Sequence, residues 1–387
     1  MLKKLLFNTH WLIGISAGII LSIVGVSGAI LSLEHFTLDQ LNAKISTVEV
    51  TGPSLSPAQL SRRILEDNEN KIIRSLVMYS DANKAAKIQL TAADNPRERI
   101  EYWINPYTGK ILGSPKGEDF FNGVMRLHRW LFNREYGKHL VAGSTITLVF
   151  LALSGLYLRW PKLALRWRSW FYLNFKLKGR GFWWSFHSVI GTWLLPIYIL
   201  ASLTGLYFSY DWYRDIAYTV VGVEKPAPRN RNAPISNSPE LALSDTAYYS
   251  LDQAWIVFKE NVPSFSMATL PAPNAEQSTF SIRYQDSNPE HSRANNTITI
   301  DLQQDEHIVS HLRYDTKKIN EKIIGSMLPL HSGEFFGISG QIIIGLASLF
   351  MPFFAVSGWI LYLQRRKLKI ARALREKNLL TSAMDTA

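Results

Sequence analysis

The chain of 387 residues contains no cysteine, and this absence excludes several kinds of site at once. Disulfides, iron–sulfur clusters, thiolate zinc sites and the covalent attachment of c-type haem all need cysteine sulfur. The glycine-rich fingerprint G-x-G-x-x-G of nucleotide-binding folds is also missing. Any metal or haem must therefore be held by histidine, methionine, tyrosine or oxygen ligands, and any electron donor must be a separate molecule.

Charged side chains are missing from four long stretches of the chain. These stretches are Trp11–Leu33, Leu140–Leu158, Gly181–Tyr210 and Phe335–Gln364. Each has the roughly 20 residues that an α-helix needs to cross the hydrocarbon core of a bilayer. The first stretch is longer than the apolar region of a signal peptide, so we expect it to remain as an anchor. The sequence therefore predicts an integral membrane, α-helical protein with four transmembrane helices.

Acidic side chains are scarce beside the ends of these stretches, where basic side chains accumulate. Lys3, Lys4, the segment Arg159–Arg180 and the tail Arg365–Ala387 hold 16 of the 42 Lys and Arg residues but 2 of the 31 acids. An excess of positive charge in short loops marks the cytoplasmic side of a membrane protein. The distribution predicts cytoplasmic N- and C-termini and two large loops outside. It also explains the net charge of +11 by contact with membrane lipid, without nucleic acid.

The two outer segments each combine one helix with several strands. In the first, SPAQLSRRILEDN predicts a helix with Ser56 as N-cap and Pro57 at the first helical position, and SLVMYS, AKIQLTA and RIEYWINPYTGKILG predict strands. The second opens with the Pro/Asn-rich linker EKPAPRNRNAPISNSPE. A helix in SLDQAWIVFKENV and strands in SFSMATLP, TFSIRYQ and NTITIDLQQDEHIVSHLRY follow. The repeated order predicts two α+β modules that arose by an internal duplication.

The predicted unit is helix, outer module, helix, present twice. Along the chain it gives membrane helix 1 at 1–34, outer module 1 with a short pre-helix at 35–134, membrane helix 2 at 135–160, a cytoplasmic basic loop at 161–181, membrane helix 3 at 182–210, outer module 2 at 211–330, membrane helix 4 at 331–364 and a cytoplasmic basic tail at 365–387.

Two histidines at the start of the odd-numbered stretches support the duplication. His10 and His187 each precede a glycine by eighteen residues, Gly28 and Gly205. Eighteen residues make five whole helical turns, so each glycine is expected on the face of its histidine. A flat space beside an imidazole suits a porphyrin held between two facing helices. The alternative is that the glycines only let helices pack closely in lipid, which does not require histidine.

Two further histidines precede the even-numbered stretches. His128 and His331 each lie nine residues before one glycine and twenty-seven before another; these glycines are Gly137 and Gly155, Gly340 and Gly358. An offset of twenty-seven residues is half a turn out of phase, so each histidine must lie beyond a break in the helix or on a short pre-helix. The segments 132–137 and 332–337 are the predicted breaks.

The predicted topology sorts the four histidines into two pairs. His10 and His187 start helices that leave the cytoplasm, and we call them the inner pair. His128 and His331 precede helices that enter from outside, and we call them the outer pair. The sequence thus predicts two bis-histidine haem-iron sites stacked across the bilayer.

Three other side chains are candidates for the outer site. His139 is an alternative outer ligand in place of His128, because it begins the second apolar stretch. Arg126 and Arg129 flank His128 and are candidates to pair with haem propionates. Cations at the headgroup level of the membrane are an equally good explanation of the two arginines.

Several motifs together resemble the PepSY-associated transmembrane family, over nearly the whole chain: HWLIGISAG…VSGAIL, YWINPYTGKILG, RLHRWLF…ALSGLYLRW, FHSVIGTW…LTGLYFS and LHSGEFFGISGQ…VSGWILYL. Some members resemble inner-membrane, haem-containing reductases of ferric siderophores. The resemblance implies two b-type haems (heme b), PepSY modules on the periplasmic side and a place in the bacterial inner membrane. The second module departs from the pattern, because INPYTGKILG has no counterpart there beyond ITIDLQQDEHIV.

These observations lead to two functional hypotheses of different classes. The first is an oxidoreductase in which an electron enters at the inner pair, passes to the outer pair and reduces a ferric siderophore or another ferric chelate. The sequence specifies neither the electron donor nor a catalytic residue. The second is a haem-free scaffold whose outer modules bind a partner and whose helices only anchor them.

Overall fold

The computed structural model describes residues 1–66, 68, 70–92, 98–160, 164–226, 244–274 and 278–384. The chain folds as two compact units. We call them the helical unit (Met1–Leu33, Phe121–Val220 and Met327–Ala387) and the sheet unit (Glu34–Phe120 and Val221–Ser326). Most of the predicted linker, at 227–240, and the parts 161–163 and 385–387 of the basic segments lie outside the described residues.

Helices and strands are numbered along the chain. The helices are α1 Leu2–Ser32, α2 Glu34–Ser46, α3 Pro57–Glu66, α4 Glu118–Trp130, α5 Gly137–Arg159, α6 Trp167–Phe171, α7 Gly179–Tyr207, α8 Asp211–Val221, α9 Asp245–Asn261, α10 Ile319–Gly325, α11 Met327–Ser332 and α12 Gly337–Met384, with a 3₁₀ turn at Glu334–Phe336. The strands are β1 Lys71–Tyr79, β2 Ala86–Ala92, β3 Arg99–Ile104, β4 Ile111–Gly113, β5 Met267–Pro271, β6 Thr279–Gln285, β7 Asn296–Asp301 and β8 Ile308–Leu312.

Among the described residues, four helices of the helical unit are long and apolar enough to span a membrane, and they cover all but a few end residues of the four uncharged stretches. They are α1, α5, α7 and α12. Helix α1 packs against α12 and α5, and α7 packs against the same two helices. The four spans therefore form a ring in which α1 lies opposite α7. The predicted set of four transmembrane helices is confirmed.

Small residues allow α1 and α12 to approach closely. A Cβ atom built on Gly25 would lie 2.6 Å from the carbonyl oxygen of Ser348, and one on Gly345 would lie 2.6 Å from Ser32 Oγ. Such contacts leave no room for a side chain. Close backbone approach of this kind is a main source of helix association in lipid, where apolar surface alone gives little driving force.

A break separates a short helix from a membrane helix in each repeat, as the half-turn offset predicted. Helix α4 ends at Trp130 and α5 begins at Gly137, while α11 ends at Ser332 and α12 begins at Gly337. In the first break Leu131 and Phe132 have φ angles of 49° and 62°, a left-handed conformation that costs energy for residues with a Cβ atom.

Glycine at the start of each following helix makes the breaks possible. A Cβ atom on Gly137 would lie 1.7 Å from the carbonyl oxygen of Trp130, and one on Gly340 would lie 2.3 Å from that of Gly333. Both carbonyls follow a histidine of the outer pair by two residues, and both glycines follow it by nine. The repeated spacing of nine residues between the outer histidine and this glycine therefore specifies the fold of the break.

The sheet unit contains one antiparallel sheet with the strand order β4-β3-β2-β1-β5-β6-β7-β8. Each predicted module supplies four strands, and β1 pairs with β5 at the centre, where Leu76 lies opposite Leu270. The sequence predicted two modules but not that they share a sheet. The pairing has a clear physical reason, because β1 or β5 alone would be an open edge with unpaired backbone groups.

The core of the sheet unit lies between one face of the sheet and the helices α3 and α9. Side chains alternate along the strands, so that every second residue faces this core. The largest fully buried side chains are Tyr284, Phe258, Phe280, Leu60, Ile64, Ile73, Leu76, Ile88, Leu90, Ile104, Leu251 and Leu270. Both repeats contribute to this one core, which explains why they fold as a single unit.

The start of helix α3 is capped from both repeats. Ser56 Oγ accepts a hydrogen bond of 3.1 Å from the amide of Gln59, as the N-cap prediction required. The Asp252 carboxylate on α9 accepts bonds of 2.7 Å from Ser56 Oγ and 3.0 Å from the amide of Ala58. Asp252 thus joins the two modules at a helix N-terminus, where a negative charge is also favourable.

Asp252→Ala is expected to lower the opening free energy of the first turn of α3 by about 1–2 kcal/mol, since it removes the acceptor of a buried cap. Hydrogen exchange at the amide of Ala58 measures this directly. Glu260→Ala, an exposed change on the same helix α9, is the control and should leave that amide unaffected. Equal exchange in both variants would contradict the capping role.

Candidate functional site

The outer pair meets inside the helical unit. The ring centres of His128 and His331 lie 6.2 Å apart, and their planes make an angle of 60°. His128 stands near the end of α4 and His331 near the end of α11, just before the two breaks. Burial lowers the pKa of His128 to about 4, so the imidazole of His128 on α4 is neutral at neutral pH.

His128 is oriented by the first membrane helix of its own repeat. Its Nδ1 atom lies 3.0 Å from the carbonyl oxygen of Val24 and 3.2 Å from Ser27 Oγ, both on α1. A carbonyl oxygen can only accept, so Nδ1 carries the proton and donates it.

His331 repeats this arrangement on α7. Its Nδ1 atom lies 3.0 Å from the carbonyl oxygen of Ala201 and 3.1 Å from Thr204 Oγ1. Adding 177 to the number of a residue in α1 gives the equivalent residue in α7, as for His10 and His187. In the same way Val24 corresponds to Ala201, and Ser27 corresponds to Thr204. The duplication therefore extends to the hydrogen bonds of the histidines.

The inner pair is held by serine hydroxyls on the second membrane helix of each repeat. His10 Nδ1 lies 2.8 Å from Ser154 Oγ on α5, and His187 Nδ1 lies 2.7 Å from Ser357 Oγ on α12. Each hydroxyl donates its own proton to a carbonyl of its helix, at 2.6 Å and 3.2 Å. With their own protons placed in this way, the two hydroxyl oxygens are able to accept from Nδ1 of His10 and of His187.

The carbonyl acceptors assign the Nδ1–H tautomer to the outer pair, and the serine contacts of the inner pair are compatible with the same tautomer. The proton on Nδ1 leaves Nε2 as the nitrogen that carries a lone pair. Histidines that bind metals usually donate their other ring N–H to a carbonyl, carboxylate or other acceptor, which fixes the ring and raises its basicity. The hydrogen bonds around both pairs therefore prepare four imidazoles to act as metal ligands.

A hydroxyl residue followed by glycine meets each histidine: Ser27-Gly28, Ser154-Gly155, Thr204-Gly205 and Ser357-Gly358. The hydroxyl accepts the Nδ1 proton, and the glycine leaves room for the ring in three of the four places. A Cβ atom on Gly28 or Gly205 would lie 3.0 Å or 3.1 Å from Cε1 of the outer histidine of that repeat, and one on Gly155 would lie 3.3 Å from Cε1 of His10.

This contact corrects the prediction about Gly28 and Gly205. They were expected to clear a flat space beside His10 and His187, but they lie against His128 and His331. The reason is the break after each short helix, which turns the outer histidine toward the far end of the odd membrane helix. A helical-wheel projection of one helix cannot show that a histidine from a second helix packs against the same glycine.

The outer pair has the spacing that two axial ligands of one metal ion require. Two metal–nitrogen bonds of about 2.0 Å, with each nitrogen about 1.1 Å from its ring centre, place the ring centres about 6 Å apart. The observed distance is 6.2 Å. Planes that share one axis can be rotated by any angle about it, so 60° between the rings is compatible with the same geometry. The residues present therefore fit a bis-histidine haem iron.

The other candidates lie elsewhere in the helical unit. His139 is exposed, and its Nδ1 atom lies 3.1 Å from the hydroxyl of Tyr210 rather than beside His331. The Arg129 guanidinium lies over the ring of Trp130 at 4.9 Å, and Arg126 is exposed on the same helix α4. The geometry favours His128 over His139, and the propionate role of the two arginines stays a prediction.

Sequence reasoning missed the four hydroxyl side chains that orient the histidines. A signal for them was present, because a serine or threonine stands directly before the glycine in each membrane helix. Hydroxyl residues are common in membrane helices, where they usually bond to a carbonyl of their own helix. Only the positions of the facing helices show that these four also accept a proton from histidine.

Comparison with known proteins agrees with this architecture. No curated protein matches the chain. The family model described as the PepSY-associated TM region matches residues 7–365, nearly the whole chain. The four membrane helices, the duplicated α+β modules and this match together show that the chain belongs to the family of PepSY-associated transmembrane proteins.

Proposed function

We propose that the chain is a transmembrane electron conduit with two b-type haems that acts as a ferric-siderophore reductase. The inner pair would hold one haem iron and the outer pair the other. Bound haem iron supplies one-electron chemistry by changing between the ferric and ferrous states. The substrate class is a ferric siderophore or another ferric chelate on the side opposite the basic segments.

The observation that carries this proposal is the geometry of the histidines. The two ring centres of the outer pair lie 6.2 Å apart, and Nδ1 of each of the four histidines lies within 3.0 Å of a carbonyl or hydroxyl oxygen. Close packing of helices alone explains neither the repeated contacts of Nδ1 nor the paired rings. Along α1, seventeen residues separate His10 from Ser27 at the outer pair, which is about 25 Å of helix. The two pairs are thus spaced to serve opposite sides of a bilayer.

The protein groups have two tasks in this function. The hydroxyl and carbonyl acceptors hold each imidazole in one orientation and make it a more basic ligand. The two histidines of a pair would hold one iron between them, and an iron held in this way would favour electron transfer over oxygen binding. The membrane helices keep both sites out of water.

The distribution of basic residues supports an orientation with both termini in the cytoplasm of a bacterium, in its inner membrane. Electrons would enter at the inner pair from another protein, a quinol or an external reductant. A siderophore binds ferric iron far more tightly than ferrous iron. Reduction by one electron on the periplasmic side would therefore loosen the complex and release the metal.

The haem content of the purified protein tests the proposal. Protein made in haem-replete cells should be red, should show a b-type spectrum after reduction with dithionite, and should contain about two haems per chain. The reduced protein, freed of dithionite, should be re-oxidised by a ferric hydroxamate chelate. The gallium(III) form of the same chelate is the matched control, because gallium(III) does not accept an electron under these conditions.

Two results would overturn parts of the proposal. A colourless protein from haem-replete cells would reject the conduit and favour the haem-free scaffold, in which the sheet unit binds a partner. A protein with two haems that ferric chelates do not re-oxidise would keep the conduit and reject the siderophore as its substrate.

Ser154→Ala is expected to weaken haem binding at the inner pair by about 10–100-fold, because loss of the group that orients a metal-binding histidine has effects of this size. Transfer of haem from the protein to an excess of apomyoglobin measures the dissociation rate. Thr145→Val is the control, since the hydroxyl of Thr145 on the same helix α5 bonds only to the carbonyl of Val141. Equal haem loss from the two variants would show that Ser154 does not position His10.

A further inference from the structure

The two repeats differ in the side chains between the inner and the outer pair. Adding 177 to a residue of α1, or 203 to a residue of α5, gives its equivalent in the second repeat. Leu21 in the first repeat corresponds to Tyr198 in the second, and Leu151 corresponds to Phe354. Each aromatic residue thus stands where the first repeat has leucine.

The equivalence holds in space as well as in sequence. Leu151 is the nearest neighbour of the Cβ position of Gly14, at 3.7 Å, and Phe354 is the nearest neighbour of that of Gly191, at 3.5 Å. The backbone therefore accepts leucine at this place, and the fold itself does not demand an aromatic ring. The difference between the repeats calls for an explanation beyond packing.

The aromatic side chains of the second repeat form a connected route. The ring of Phe354 lies 5.2 Å from that of His187 and 5.8 Å from that of Tyr198, edge to face in both contacts. Tyr198 is buried, and its hydroxyl donates a hydrogen bond of 2.8 Å to the carbonyl of Ala347. The ring is therefore fixed in place and keeps its proton.

The route continues to the outer pair through helix α7. Tyr198 lies one helical turn before Ala201, whose carbonyl accepts the Nδ1 proton of His331 at 3.0 Å. Three kinds of link, namely ring contacts, one turn of backbone and one hydrogen bond, thus connect His187 with His331. Electron tunnelling falls off exponentially with distance and more steeply across gaps than through bonded or closely packed atoms, so a route of this kind couples two sites well.

We infer that Phe354 and Tyr198 form the route by which one electron crosses between the inner and the outer pair. Electron transfer between the two pairs would therefore run through the second repeat. The inference rests on the proposed function. Haem iron bound at the two pairs would supply the redox change: ferrous to ferric at His10 and His187, and ferric to ferrous at His128 and His331. No bond forms or breaks and no proton moves. The two rings act as positioning groups for the coupling and are not themselves oxidised.

The test measures electron transfer inside the protein, without a ferric chelate, so that turnover is not the readout. The chain lacks cysteine, and Lys178→Cys therefore gives a single attachment point for a ruthenium photoreductant beside the start of α7. A flash reduces the inner site, and absorbance follows the electron to the outer site. Spectra of His128→Ala and His10→Ala provide the references for the two sites.

Phe354→Leu and Tyr198→Leu put the residues of the first repeat into the second. A leucine leaves part of the ring volume empty and opens a gap in the route, so each change should slow the transfer by about tenfold or more. Tyr198→Phe keeps the ring and should keep the rate. Phe353→Leu is the matched control, because Phe353 is an exposed neighbour on the same helix and lies off the route.

Haem content and midpoint potentials of every variant are measured beside the rate. Unchanged transfer in Phe354→Leu and Tyr198→Leu, with two haems and unaltered potentials, would overturn the inference and leave the proposed function standing. A slowing in Phe353→Leu as large as in Phe354→Leu would overturn it too. If Tyr198→Leu loses haem, Phe354→Leu alone decides, since leucine already fits the equivalent place. Wild-type protein without haem would reject the proposed function and this inference together.

Discussion

Replacing His128 by alanine is expected to lower the haem content from about two per chain to about one. The ring centre of His128 lies 6.2 Å from that of His331, and under the proposed function its loss would remove one of the two histidines that hold the outer haem. Metal sites bind far more weakly when a protein ligand is lost, so the outer haem should not survive purification. The pyridine haemochrome spectrum counts the haem, and the remaining spectrum should be that of a bis-histidine b-type site.

His139→Ala is the matched control for this experiment. His139 was the alternative outer ligand, and it lies near the start of α5, exposed, with its ring against Tyr210. The variant should keep about two haems. Full haem content in His128→Ala together with loss of one haem in His139→Ala would identify His139 as the outer ligand in place of His128. Full haem content in both variants would remove the outer site from the proposal.

Local patterns in the sequence predicted the membrane helices, the strands, α3 and α9, but not the short helices α2, α6, α8 and α10. Uncharged stretches predicted α1, α5, α7 and α12, because a helix that crosses lipid must be apolar over a fixed length. Ser56 and Pro57 predicted the start of α3, because both residues act on the first turn through short-range hydrogen bonding and a fixed φ angle. The spacing of histidine and glycine predicted the break after each short helix, because a half-turn offset cannot lie on one face.

Contacts between distant segments could not be predicted in the same way. The pairing of β1 with β5 joins residues almost 200 positions apart, and an alternating strand pattern does not specify its partner. Gly28 was attributed to His10, on its own helix, although its neighbour is His128 from another helix. Helix periodicity describes one helix at a time, so it cannot show which residues of a neighbouring helix lie against a given glycine.

The duplicated histidine sites and the unequal aromatic residues have different physical origins. Hydrogen bonds to Nδ1 recur in both repeats, as expected if all four histidines act as ligands that need one fixed orientation. Under the proposed electron route, Tyr198 and Phe354 would be needed in only one repeat, because a single connection between two sites would be sufficient for electron transfer. A feature that both repeats share, such as the hydrogen bonds to Nδ1, thus indicates a role of both repeats. A feature of one repeat, such as Tyr198 and Phe354, indicates a role of that repeat alone.

Gly137→Ala is expected to remove the outer haem without touching a ligand. The new Cβ atom would lie 1.7 Å from the carbonyl oxygen of Trp130, a distance at which the backbone itself has to move. That carbonyl follows His128 by two residues, so the movement displaces the ring from its partner His331. Backbone strain of this kind should also cost roughly 1–3 kcal/mol of stability.

Haem content and the midpoint of thermal unfolding report the two effects of Gly137→Ala separately. Gly143→Ala on the same helix α5 is the control, because no neighbouring atom lies within 4 Å of its Cβ position. This change should leave the haem content unaltered. The stability should be equal or slightly higher, because alanine is the better helix former. Gly340→Ala should repeat the loss from the side of His331, because its Cβ atom would meet the carbonyl of Gly333 at 2.3 Å. Two haems in both Gly137→Ala and Gly340→Ala would mean that the breaks do not position the outer pair, and the spacing of nine residues would then need another cause.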